Sequence, residues 1–245
     1  MHKLLYLLTL IITILFLQCS NKKKDIESYT KAYKYFTNND IEKSKAEIEK
    51  TLQLNPKNID AIILRGKIKS LLKNDTGAIN DFHFAIKIDS NSGSAYVNRA
   101  YCYLAMGDSV NAFKDVSKAL SLKMDSLNLS LALCLNGILN YSKHNYKTSY
   151  HNLTKAITLN KNLPKAYYYI AQILSTHNKN NENYDKILDN INNSIKLDSN
   201  YAEAYYFRAL LLLEAGNNQQ ACYDLEKALN LGMLTAESLM EENCL

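Results

Sequence analysis

The chain has 245 residues, of which 47% are hydrophobic, and it contains only seven glycines and two prolines. That length holds one or two domains, and the scarcity of glycine and proline suits an all-helical array. A formal charge of +5, from lysines spread along the sequence, is a mild excess that leaves no nucleic-acid footprint.

The N-terminus differs in kind from the rest. Met1-His2-Lys3 is a short basic head, followed by the apolar run Leu4 to Leu17 and then by Cys19. An apolar run of about 14 residues is short for a membrane span and suits a signal-peptide core. A lysine-rich stretch, Asn21 to Lys24, comes next. The stretch LFLQCS resembles a bacterial lipoprotein signal. The resemblance implies removal of residues 1–18, lipid attachment to Cys19, and an anchor linker over residues 19–24. Phe16 and Gln18 depart from the usual box, which prefers Leu at −3 and a small residue before the cysteine. The alternatives are a plain secretory signal with an incidental cysteine, or an uncleaved anchor. Acyl chains worth about 0.8 kcal/mol per buried CH₂ would hold the protein firmly at a membrane. The implied location is the bacterial cell envelope, lipid-anchored, on the periplasmic side.

Through most of the chain from residue 25 a small residue returns every 34 positions. Thr51, Ala85 and Ala119 share one column; Ala32, Gly66 and Ala100 share another. A fixed period of this size signals a stacked repeat array. One unit runs from Gly93 to Ser126. Tyr96, Arg99, Ala100 and Tyr103 recur at helical spacing, Gly107-Asp108 reads as an exposed turn, and Ala112, Val116, Ala119 and Leu120 form a second helical stripe. Small residues at Ala100, Ala112 and Ala119 let two antiparallel helices approach closely. Helices of about three turns are too short to persist alone, so neighbouring pairs must stack.

These units resemble the tetratricopeptide repeat (TPR) family, in which small residues occupy repeat positions 8, 20 and 27. The resemblance covers six units: 25–58, 59–92, 93–126, 130–163, 164–201 and 202–235. Position 8 reads Ala32, Gly66, Ala100, Gly137, Ala171, Ala209. Position 20 reads Ser44, Ala78, Ala112, Ser149, Ile187, Ala221. Position 27 reads Thr51, Ala85, Ala119, Ala156, Ser194, Ala228. Departures are the absence of Trp, three extra residues (Leu127 to Leu129) before unit 4, and an insertion in the turn of unit 5, THNKNNENY. The implied fold is all-α, a right-handed TPR solenoid closed by a C-terminal cap helix over 236–245, with Glu237, Glu241 and Glu242 on its polar outer face.

The resemblance also implies a concave groove lined by first helices, chiefly at repeat positions 2, 5, 9 and 12. Position 5 holds Tyr29, Ile63, Val97, Cys134, Tyr168 and Tyr206. Position 9 holds Tyr33, Lys67, Tyr101, Ile138, Gln172 and Leu210. Position 12 adds Phe36, Leu104, Tyr141 and Leu213. Tyrosine combines a large contact area with a polar tip, so Tyr29, Tyr33, Tyr101, Tyr141, Tyr168 and Tyr206 are the candidate contacts to a peptide or protein partner. The alternative is that these rings only pack between units. The pattern of the family's carboxylate clamp is not matched: Asn98 fits one role, but Ile63, Lys67, Leu131 and Leu135 do not fit the others.

Four cysteines follow Cys19. Cys102 and Cys134 read as small core or groove residues within first helices. Cys222 and Cys244 are the pair placed to meet, and an exported chain permits a disulfide there; the alternative is two free thiols. No phosphate loop, HExxH or GxSxG motif is present. His144 and His151 are separated by a helix break, and no metal set is assigned. The expectation is a non-enzymatic scaffold or adaptor with no cofactor and no small-molecule substrate. The alternatives are a periplasmic assembly chaperone for exported or outer-membrane proteins, and an accessory subunit of an envelope enzyme.

Overall fold

The computed structural model describes residues 22–176 and 183–244; residues 1–21, with Cys19, and most of the unit-5 insertion lie outside the described residues. The chain falls into two compact units that divide after Lys123. The N-terminal unit holds α1 (22–37), α2 (Ile41–Leu54), α3 (Ile59–Leu71), α4 (Asp75–Ile88), α5 (Gly93–Ala105) and α6 (Ser109–Leu120). The C-terminal unit holds α7 (Ser126–Ser142), α8 (Tyr146–Leu159), α9 (Pro164–Thr176), α10 (Tyr184–Leu197), α11 (Ala202–Glu214), α12 (Asn218–Asn230) and α13 (Ala236–Asn243). Among the described residues there is no strand.

Two boundaries differ from the expected ones. Residues 22–24, read as linker, already belong to α1. The extra residues Leu127 to Leu129 do not form a loop; they lengthen α7, whose N-cap Asp125 accepts from the Asn128 backbone N–H.

The small columns lie where the helices of each pair meet. Ala32, Ser44, Thr51, Ala78, Ala85, Ala100, Ala112 and Ala119 are all fully buried. At Gly66 a Cβ would sit 2.6 Å from the Phe82 ring, and at Gly137 2.5 Å from Leu153 Cγ, so glycine is what lets these second helices close. Where position 20 is serine, its hydroxyl donates to the facing position-8 carbonyl: Ser44 to Ala32 at 2.9 Å and Ser149 to Gly137 at 2.7 Å. Ile187 stands at this position in unit 5 and is fully buried in a cluster with Ala171, Ile191 and Leu211.

Each described turn within a pair uses one left-handed residue followed by a polar N-cap. Asn39, Lys73, Gly107, His144 and Gly216 have positive φ. Asp40, Asn74, Asp108 and Asn217 then accept a backbone N–H of the next helix through their side chains. Asp108 is therefore a helix cap rather than a bland turn residue, because one of the four unpaired amides of α6 depends on it.

A buried ion pair joins the two helices of units 2, 3 and 6. Arg65, Arg99 and Arg208 each grip an aspartate 16 residues on, Asp81, Asp115 and Asp224, through two nitrogens at 2.7–3.0 Å. The third nitrogen of Arg99 reaches His83 and that of Arg208 reaches Asn192, tying each pair to the one before. Tyr96 and Tyr103 flank the Arg99 guanidinium. In unit 4 the equivalent positions are Asn136 and Asn152, which make a neutral amide hydrogen bond of 3.3 Å.

Candidate interaction site

The six candidate tyrosines do not share one environment. In the N-terminal unit Tyr33 is 49% and Tyr101 43% exposed. Tyr29 is half-buried beside Tyr33, with ring centroids 6.4 Å apart; burial, then Asp60, pushes its hydroxyl up to about 12. In the C-terminal unit the rings hold one another. Tyr141 packs on Tyr146 and, at 5.0 Å, on Tyr169; Tyr168 packs on Tyr169, Tyr201 and Phe207. The Tyr168 hydroxyl accepts a hydrogen bond from Gln172, and burial raises its pKa well above the usual value. Tyr206 packs on the apolar cluster of α11, α12 and α13.

Several positions expected to line a groove are closed. Ile63, Val97, Cys134 and Ile138 are buried. Once the pairs stack, position 5 turns into the neighbouring helix, and only a side chain as long as tyrosine still reaches outward. Position 9 stays open in the N-terminal unit. There, Phe36 of α1, Lys67 and Leu71 of α3 and Tyr101 of α5 line a hollow of about 390 Å³, with Ser70, Lys73 and Asn98 adding polar groups. Ser70 donates to Asp75 at 2.8 Å, which engages that carboxylate from within the wall. Apolar floor, aromatic side and polar rim are what a bound peptide side chain requires.

The remaining candidates divide in the same way. Cys102 and Cys134 are buried, and desolvation pushes their thiols up to about 11 and about 12, so they are poor nucleophiles. Cys222 on α12 and Cys244 after α13 are joined as a disulfide across 22 residues. The cap helix lays Ala236, Leu239 and Met240 on the cluster formed with Leu212 and Leu225, and leaves Glu237, Glu241 and Glu242 exposed. Among the described residues no group of three His, Cys, Asp or Glu is placed to hold a metal, and no helix is long and apolar enough to cross a membrane. Sequence reasoning missed the Arg–Asp clasps, although their constant spacing of 16 within the repeat register carries the signal.

Comparison with known proteins agrees with this architecture. Residues 93–125 match the family model for the tetratricopeptide repeat. A DnaJ homolog subfamily C member 7 homolog of Schizosaccharomyces pombe is 28% identical over 120 residues, covering 44% of this chain and 25% of that protein. The chain thus spans about a quarter of this curated relative. Among solved structures, the Pseudomonas aeruginosa pilF protein superposes with a TM-score of 0.70 at 15% identity, over 91% of this chain and 99% of that one. PilW, a widely conserved type IV pilus biogenesis factor, gives 0.65 at 18% identity, over 83% and 91%.

Proposed function

The chain is a tetratricopeptide-repeat protein, and from that premise we propose that it is a non-enzymatic scaffold or adaptor. It is held at the periplasmic side of a bacterial membrane by lipid on Cys19 and captures a peptide or protein partner on the first-helix face of its N-terminal unit. Repeat proteins of this fold are generally interaction scaffolds without catalysis. The observation that carries the reading is the open hollow between α1, α3 and α5, walled by Tyr101 and Leu71 and rimmed by polar groups. Export is supported by the basic–apolar–cysteine order of residues 1–19 and by a disulfide, which oxidising compartments favour.

The test is a crosslinking pull-down from native membranes with the double variant Tyr33→Ala/Tyr101→Ala. Partner capture is expected to fall more than tenfold, since buried aromatic anchors are worth about 2 kcal/mol or more. The melting temperature should hold. Full capture by a folded variant would remove this face from the reading. In parallel, Cys19→Ala should abolish incorporation of labelled palmitate; a variant that is still labelled and matured would refute the anchor.

A second reading, an assembly chaperone for exported or outer-membrane proteins, draws on the likeness in fold to PilW, a type IV pilus biogenesis factor. A scaffold yields a stoichiometric, isolable complex, whereas a chaperone binds many unfolded peptides weakly.

A further inference from the structure

Charge is divided unevenly along the chain. Residues 22–123 carry 18 Lys and Arg against 12 Asp and Glu, whereas residues 124–245 carry 10 against 12. Half of that excess lies on α1, where residues 22–37 carry five lysines against Asp25 and Glu27. Lys22, Lys23 and Lys24 are exposed on the first turn of α1. Lys24, Lys31 and Lys50 then line a shallow hollow of about 410 Å³ on the outer side of α1 and α2. Glu27 and Glu47 share that surface and pair with Lys31 at 2.8 Å and Lys50 at 2.6 Å. Asp25, on the first turn of α1, is turned inward, where Asn55 donates to it at 2.8 Å. Three lysines against two glutamates line this hollow, and Lys22 and Lys23 add their charge from the adjoining first turn of α1.

Reach fixes what faces it. Helix α1 is formed by residue 22, three peptide steps after Cys19. At about 3.3–3.6 Å per step, Lys22 lies within about 11 Å of an acylated Cys19 whatever path those residues take. That is close to the Debye length of about 8 Å at physiological ionic strength, so the lysines of the first turn of α1 lie within range of charged headgroups, and Lys31 and Lys50 come within range when α1 lies along the surface.

We infer that the lysine face of α1 and α2, Lys22, Lys23, Lys24, Lys31 and Lys50, docks on the anionic lipid headgroups of the membrane that holds the anchor. The inference rests on the lipid anchor at Cys19 in the proposed function. It makes the anchored unit lie against the bilayer by its outer α1–α2 surface instead of swinging on a free tether. Each lysine at an anionic surface contributes about a fivefold factor in binding, so the set is worth more than any one pair with a neighbouring glutamate.

The experiment uses the full chain purified from bacterial membranes. The mass of its N-terminal peptide reads the acyl group on Cys19. The protein is reconstituted into vesicles of phosphatidylcholine, with or without phosphatidylglycerol, and treated with an amine-acylating reagent. Lys87 and Lys118, exposed elsewhere in the same unit, serve as controls. The expected result is that the five lysines react roughly tenfold more slowly on phosphatidylglycerol vesicles than on phosphatidylcholine alone, with the protection lost in high salt and the controls unchanged. An acylated protein whose five lysines react equally on both vesicles overturns the lysine face and leaves the anchor standing. A mature protein without the acyl group overturns the anchor, and the docking surface with it.

Discussion

Tyrosines on the first helices of the repeats stand in different surroundings in the two compact units. Tyr33 and Tyr101 in the N-terminal unit keep nearly half their surface in solvent. Tyr141 and Tyr168 in the C-terminal unit are taken up by other rings, Tyr169, Tyr201 and Phe207. The clasps do not follow this division: units 2, 3 and 6 carry Arg–Asp pairs, while unit 4 has two asparagines in their place. The neighbouring helix therefore decides whether a first-helix ring stays open or packs.

The largest expected effect comes from breaking a clasp. Arg99→Ala leaves Asp115, only 4% exposed, as an uncompensated buried charge, which should cost about 3 kcal/mol or more. Asn152→Ala removes one neutral hydrogen bond and should cost about 1 kcal/mol. Urea unfolding of the two variants measures the difference. Equal losses would mean that the ion pair contributes no more than an amide bond.

Ring removal comes next. Tyr168→Ala takes away a ring in contact with three others, and a loss of about 2 kcal/mol is expected. Tyr101→Ala should change stability by no more than about 0.5 kcal/mol, as is usual on a surface. The same denaturant curves read both; a Tyr101 variant as unstable as the Tyr168 variant would erase the contrast between the units.

The smallest effect concerns the caps. The backbone N–H and side-chain amide of Asn111 hold the Asp108 carboxyl below its usual range. A depressed carboxyl stabilises the fold above its ordinary value of 3.8, and that contribution is lost as pH falls further through the folded pKa. Asp108→Ala should lower the melting temperature by a few degrees at neutral pH, and the gap to the parent protein should shrink below pH 4. A gap that persists at pH 2 would mean that the carboxylate is not what matters there.

The repeat period, the small residues at positions 8, 20 and 27, and the cap helix were legible because each rests on local helical spacing or on recurrence along one chain. Gly66 and Gly137 fell in register because nothing larger fits against Phe82 and Leu153. The clasp between Arg99 and Asp115 was less visible, since 16 residues match no helical period and the pair meets only after the turn at Gly107 reverses the chain. The fate of the tyrosines was not legible. Whether Tyr168 reaches solvent depends on Tyr201, which lies beyond the next helix, and no spacing rule reports that contact.

Site-specific photocrosslinking in native membranes tests the division between the units most directly. A photoreactive residue is placed in turn at Tyr33, Tyr101, Tyr141 and Tyr168, and adducts are read on the folded protein. Adducts from positions 33 and 101, with none from 141 and 168, are the expected result. Adducts from 141 and 168 with none from 33 and 101 would contradict it and move the binding face to the C-terminal unit.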